Sequence, residues 1–328
     1  MASRIVELFG FAPGDTSEIA QRARSEKRCP FISDVCQKTL SDGTVSGVCT
    51  LKPMTSGPVI CCPYRLYADD HKVLSDVAKI AFGGDIVLVA GNVLANHMQD
   101  SSRTTVAVFG KRWGKELRLP NRGRSGGYFV DWVLAKLNNS GELEEFVAIE
   151  VQSIDTTGNY QKERLAILEG NQFPGNSTAG FNWENVNKRI LPQLIYKGHV
   201  LRRERLCKSG LFFICPKPVY EKIRERLGGE LYPYNLQPGA LSLLWYDVGP
   251  EALTGQTRTL ELQGNFTTTV DQIAMAFTSP SNLPAANVYE TAIRAELDTG
   301  AQSHKKKVGE FMAALVEAHA EIDLLRKP

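Results

Sequence analysis

The stretch GYFVDWVLAKLNNSGELEEFVAIEVQSIDTTGNY, residues 127–160, decides how this chain is read. Two runs rich in β-branched and aromatic residues, Tyr128–Leu137 and Glu145–Ile154, flank Asn138-Asn139-Ser140-Gly141, a turn signal, and together predict an antiparallel hairpin. With Ser140-Gly141 at the tip, Asp131 falls opposite Glu150. Facing residues of an antiparallel pair share a face, with Cβ atoms about 4.5–5.5 Å apart. Gln152, two residues beyond Glu150, points to that same face.

Both carboxylates are set among apolar neighbours: Asp131 between Val130 and Trp132, Glu150 between Ile149 and Val151. Burying one carboxylate is costly, and two like charges facing each other make it worse. A divalent cation removes both penalties, and Mg²⁺ takes such paired oxygens when it also binds phosphate. The pattern is the D…(E/D)-x-(K/Q) arrangement of metal-dependent nucleases, in which the cation activates water against a phosphodiester. Gln152 stands at the third position, which is often lysine; its amide can orient a water but cannot take up a proton. The plain alternative is a strand face carrying solvated acids.

Around the hairpin, the chain has 328 residues, enough for two domains or one large core with an appended module. With 43% hydrophobic and 23% charged residues, disorder and fibrous repeats are excluded. The 38 basic and 36 acidic residues nearly cancel, which excludes a polybasic protein but leaves room for a local basic cleft. Apolar runs such as Ile86 to Gly91 fall far short of the ~20 residues of a spanning helix. The opening MASRIVELFGFAPGD puts Glu7 inside its apolar stretch and lacks a signal-peptide core, so a cytoplasmic protein is expected.

A helix is predicted from Thr16, then a turn-rich cysteine segment over 29–67. Helices follow at 70–82, 184–197 and 217–227, with strands at 85–90, 104–109, 211–215 and 241–247. Strands flanked by helices argue for an α/β fold without fixing its topology. Three parts are expected: an N-terminal segment with a cysteine module (1–67), a core (68–300), and a basic, amphipathic helical tail (301–328). In the tail, Val308, Phe311, Met312, Leu315, Ile322 and Leu325 form a stripe at helical spacing, suited to docking on its own domain or to a dimer contact.

Five of the seven cysteines lie between Cys29 and Cys62, in a segment with little apolar matter of its own. Taking Cys62 as the last ligand, Cys29, Cys36, Cys49 and Cys62 satisfy a tetrahedral metal that would hold these turns together. Zinc is the default on chemistry alone, and with every position filled by protein the site is structural; unpaired buried thiols are the alternative. A cysteine nucleophile lacks support, since none of the five histidines lies in a context that suggests a dyad. Lys111, Arg112, Lys115, Arg118, Arg122 and Arg124 crowd the stretch before Asp131, where they could hold phosphates, while Arg202, Arg203 and Arg205 read as a solvated face. No GxxxxGK[ST] phosphate loop occurs.

An ordered set of pieces resembles the type II restriction endonucleases of the NotI kind. It runs through Cys29-Pro30-Phe31, Cys36, Gly47-Val48-Cys49, Cys62-Pro63 with Arg65, and Gly114-Lys115-Glu116-Leu117. It continues through Asp131-Trp132, Ile149-Glu150-Val151-Gln152 with Asp155, Gly158 and Tyr160, then Asn185-Val186, Lys188-Arg189 and Gln193. The resemblance implies a PD-(D/E)XK nuclease core, a mixed sheet flanked by helices, acting as a homodimer on palindromic, GC-rich double-stranded DNA with Mg²⁺. It implies that Asp131 and Glu150 bind the metal, that Gln152 is the variant third residue, and that Glu116 is an additional upstream acid. It also implies iron rather than zinc at Cys29, Cys36, Cys49 and Cys62. Adjacent Cys61 leaves the fourth ligand open, and the tail after about residue 300 extends past the resemblance. The competing functional readings are a DNA-binding module with an inactive nuclease-like core and a structure-specific repair nuclease.

Overall fold

Seven strands form the main sheet: β4 (Ile86–Ala90), β5 (Thr104–Gly110), β6 (Trp132–Leu137), β7 (Leu143–Val151), β8 (Leu211–Pro216), β9 (Ala240–Val248) and β10 (Leu260–Thr269). They lie side by side in chain order from one edge to the other. The sheet is mixed: β4 with β5, β7 with β8 and β8 with β9 are parallel, the remaining neighbours antiparallel. In β8 all six residues, LFFICP, are buried, the near-continuous apolar run of a central strand covered on both faces. The computed structural model describes residues 2–93, 103–119, 128–229 and 231–299.

Helices α1 (Glu18–Ser25) and α2 (Ala68–Phe82) precede the main sheet, α3 (Gln161–Leu168) and α4 (Leu191–Leu201) lie in the parallel connection from β7 to β8, α5 (Lys217–Leu227) lies in that from β8 to β9, and α6 (Val270–Thr278) follows β10. A 3-10 turn, Pro63–Tyr67, leads into α2, and a π turn, Val186–Ile190, leads into α4. Ser17 caps α1, accepting the Ala20 amide, so the helix starts two residues later than Thr16. In α2, Asp69, Asp70 and His71 take φ of 55°, 54° and 59°, so regular helix begins only after them. Asp69 Oδ2 accepts the Leu260 amide at 2.7 Å, tying this left-handed turn to β10.

The cysteine segment contains more apolar matter than its turns suggest. Strands β1 (Ser3–Leu8), β2 (Val48–Pro53) and β3 (Val59–Ile60) form a second sheet in the order β1-β2-β3. Leu8, Val48, Leu51, Val59, Ile60 and Leu66 are buried and belong to the same core as the main sheet. The expectation that burial could not hold this segment is therefore corrected. At its centre, fully buried Arg65 makes two contacts to Glu7, Nε to Oε2 at 2.9 Å and Nη2 to Oε1 at 3.1 Å, and Thr50 also donates to Glu7. Arg65 Nη2 further donates to the Arg258 carbonyl at 2.8 Å, joining the small sheet to the approach of β10.

The chain divides into Met1–Thr278 and Ser279–Pro328. The described part of the second unit contains a 3-10 turn, Pro280–Asn282, and helix over 288–299, with Tyr289, Ile293 and Leu297 exposed. The expected tail helix, from 301 on, lies outside the described residues. No helix among the described residues is long and apolar enough to cross a membrane.

Candidate active site

The hairpin forms in the expected register. Trp132 faces Ile149 and the pairing runs to Lys136 facing Glu145, before a shift at Leu137, which faces Leu143. One step back from Trp132, this register places Asp131 opposite Glu150. Regular β6 begins only at Trp132, whereas the sequence predicted an unbroken strand from Tyr128. Tyr128–Phe129 instead pair with Arg118–Leu119, so Asp131 sits at a break between two strand pieces.

Side chains around the break hold it open. Trp132 is buried and faces Gly110 of β5; a Cβ there would lie 2.2 Å from Trp132 Cε3, so only glycine fits beneath the indole. Tyr67 and His71 meet the Trp132 ring edge-on, with centroids 5.4 and 5.5 Å away. Val151 donates its amide to Asp131 Oδ2 at 2.8 Å. The Gln152 amide continues to the Ile214 carbonyl at 2.9 Å, so the strand end carrying Glu150 and Gln152 is anchored on β8.

Asp131, Glu150 and Gln152 line one cavity of about 860 Å³. A wall of it comes from the cysteine segment, through Lys38, Cys61, Tyr64 and Tyr67, and another from α4 and the turn before it, through Arg189, Gln193 and Lys197. These last three stand four residues apart and so share one helical face. The opposite face, with Leu194, Gly198 and Leu201, is buried. Gly198 packs so close to Val270 of α6 that a Cβ would meet Val270 Cγ2 at 2.7 Å. That close approach sets the depth at which α4 presents Lys197, whose Nζ lies 2.5 Å from Glu150 Oε1.

The electrostatics are those of a site holding excess negative charge. Glu150 has its pKa pushed up to about 8, first by burial and then by the charge of Asp131, with Lys197 pulling the other way. Asp131 opens onto the cavity, yet enough protein surrounds it that desolvation raises its pKa too. The Val151 amide and Lys197 oppose the rise, and Glu116 adds to it. Glu116 itself is exposed and outside the cavity lining, acting on Asp131 through its charge. The side-chain amide of Gln152 donates through Nε2 to the Ser153 carbonyl at 3.3 Å.

Other residues of the ordered set meet nearby. Asp155 Oδ2 accepts from Asn185 at 2.7 Å and from Arg189 at 3.2 Å, and Tyr160 shares a 2.9 Å hydrogen bond with Ser46. Of the basic stretch before the hairpin, Arg112 is engaged with Asp34 at 3.3 Å and stacks over Tyr64. Arg122 and Arg124 lie outside the described residues, as does the side chain of Arg118. Arg202 pairs with Asp271 at 2.6 Å.

All seven cysteines are buried and free. Cys29, Cys36, Cys49 and Cys62 lie close enough that their charges act on one another, and burial raises Cys29 to about 11, Cys62 to about 12 and Cys49 well above the usual thiol range. Cys61 also acts on Cys62 through its charge, but its thiol donates to the Cys49 carbonyl at 3.4 Å and receives Lys38 Nζ at 3.3 Å. Among the described residues, no three His, Cys, Asp or Glu side chains are drawn into a geometry that could hold a metal ion.

Sequence reading missed Lys197, Lys38 and Tyr67. Lys197 sits 47 positions from Glu150, and only the helical spacing Arg189, Gln193, Lys197 signalled a common face. Lys38 and Tyr67 reach the cavity through loop and 3-10 geometry that carries no periodic signal.

A mixed α/β sheet thus carries facing carboxylates, with a lysine against one of them, in a cavity at a strand end, an arrangement able to bind a cation or move a proton. A family model, restriction endonuclease NotI, matches residues 16–208, and the chain belongs to this restriction endonuclease family. The matched span takes in Cys29 to Cys62, Asp131, Glu150, Gln152 and Lys197, and ends before β8. No curated protein matches the chain.

Proposed function

We propose that the protein is a type II restriction endonuclease that hydrolyses phosphodiester bonds of double-stranded DNA at a GC-rich palindrome, as a homodimer in the cytoplasm. The observation that carries this reading is the meeting of Asp131 and Glu150 across the hairpin, both facing one cavity with raised pKa values. Such a pair calls for a cation beyond Lys197, and two carboxylate oxygens beside a phosphate suit Mg²⁺. Asp131 and Glu150 would hold it, and the ion would supply positive charge and an acidified water. Gln152 would orient water through its amide and Glu116 would add field from the rim, in the manner of a PD-(D/E)XK core.

The donor chemistry of Cys29, Cys36, Cys49 and Cys62 suits a structural four-thiolate site, with iron the reading taken from the family and zinc the alternative. Cys62 is the better fourth ligand, because the Cys61 thiol is committed to Lys38 and a backbone carbonyl. The palindromic target and the dimer rest on the family alone.

Incubating plasmid and phage DNA with the purified protein and Mg²⁺ tests the proposal. Discrete fragments of reproducible length, absent with Asp131→Asn, are expected. Intact DNA would favour a binding module with an inactive core; cutting confined to junctions would favour a repair nuclease.

A further inference from the structure

We propose that Lys197 supplies, from helix α4, the positively charged side chain that Gln152 cannot provide, donating hydrogen bonds to the attacking water and the phosphate beside Glu150. This inference rests on the nuclease reading above. Position 152 is neutral, and its amide donates to the Ser153 carbonyl. Lys197, in contrast, places an ammonium 2.5 Å from Glu150 Oε1, with its side chain only 13% exposed, and its charge also acts on Asp131.

Other cations at this cavity are engaged elsewhere. Lys38 donates to the Cys61 carbonyl at 2.7 Å and to its thiol, and Arg189 bonds Asp155. Among the described residues, no other cation is paired with either carboxylate. An ammonium carries three donors, so one can stay on Glu150 while two reach the water and a phosphate oxygen. Hydrolysis joins the water oxygen to phosphorus and breaks one bridging P–O bond; the proton released by the water balances the one taken up by the leaving oxygen. Lys197 neither gains nor loses a proton, serving instead to fix the water and offset charge on the phosphoryl oxygens.

A structural latch would also explain a Lys197–Glu150 contact, so the test relocates the charge. Lys197→Met and the double variant Gln152→Lys with Lys197→Met are compared with the parent on a DNA that the parent cuts. Single-turnover cleavage in Mg²⁺, binding of the same DNA in Ca²⁺ and metal-free melting temperature are measured. Lys197→Met is expected to slow cleavage ~100-fold or more while DNA affinity stays within about threefold, and Gln152→Lys is expected to restore at least ~10-fold of the loss. Cleavage by Lys197→Met at the parental rate would overturn the inference, and so would a loss that tracks melting temperature or DNA affinity and is not rescued. If Lys197→Met does not fold, Lys197→Gln carries the same comparison. Activity surviving in Asp131→Asn and Glu150→Gln would instead bring down the underlying nuclease assignment.

Discussion

Val151 donates its backbone N–H to Asp131 Oδ2 at 2.8 Å, so the strand that carries Glu150 also fixes the carboxylate facing it. The two acids are therefore tied together within one hairpin, while the packing of Gly110, Tyr67 and His71 around Trp132 fixes the break at which Asp131 stands. A carboxylate held by a main-chain amide keeps its position when its neighbour is altered. Removing either acid should cost chemistry rather than fold. Asp131→Asn and Glu150→Gln are each expected to lower cleavage by about 10³-fold with far-UV circular dichroism unchanged, measured with single-turnover kinetics in Mg²⁺.

The raised pKa of Glu150 has a sign that calorimetry can read. Its folded value, about 8, lies above the ordinary 4.5, so the folded state holds this proton more tightly than the unfolded chain. Stability from this group is fully present below about 4.5 and is lost as pH rises through about 8. Without divalent ions the melting temperature should fall between these pH values, and Glu150→Gln should flatten the slope. Mg²⁺ favours the charged form, so the melting temperature it restores should be greater at pH 8 than at pH 6.

Gly110 lies under Trp132, where even one methyl group has no room. Gly110→Ala should destabilise the protein by about 1–3 kcal/mol through overpacking at the break that exposes Asp131. Urea titration gives the size of the loss, and a parallel cleavage assay should show a lower rate in the fraction that remains folded.

On the proposed ligand set Cys62 holds the metal and its neighbour Cys61 does not. Cys62→Ser should abolish stoichiometric bound metal and lower thermal stability, whereas Cys61→Ser should retain metal while losing only the contact with Lys38. Elemental analysis of the purified variants decides the matter and also distinguishes iron from zinc in the parent. Metal retained by Cys62→Ser and lost by Cys61→Ser would reverse the assignment.

The Glu7–Arg65 pair is buried and bidentate, so breaking it leaves one charge stranded. Arg65→Met is expected to cost about 3–5 kcal/mol in chemical denaturation, far more than the loss of any exposed ion pair. Replacing both partners with apolar residues should recover much of that loss.

Which features were readable in advance follows from how local their causes are. The hairpin was legible because strand alternation and the Asn138-Asn139-Ser140-Gly141 turn fix its register within a short stretch. The helices at Ala68–Phe82 and Lys217–Leu227 and the buried β8 were legible from periodicity and from a continuous apolar run. Strand β10, LELQGNFTTT, was not; its polar alternation belongs to a sheet edge and mimics a loop. The break at Asp131 was hidden too, because it arises from Tyr128–Phe129 pairing with a different partner, Arg118–Leu119. Lys197 depended on how deeply α4 sits, which Gly198 and Val270 decide from two separate helices. The cohesion of the cysteine segment came from its docking onto β1 and the core, a tertiary effect that composition does not announce.

Because the seven strands of the main sheet are laid down in chain order, a nascent polypeptide can pair β6 with β7 while everything after Val151 is still inside the ribosome. The residues of the acidic pair are thus synthesised first, and their lysine counter-charge follows only with α4, 47 residues after Glu150. During that interval a newborn chain would carry two bare acids with no neutralising partner, and its commitment to a finished sheet waits on the synthesis of β8 and β9.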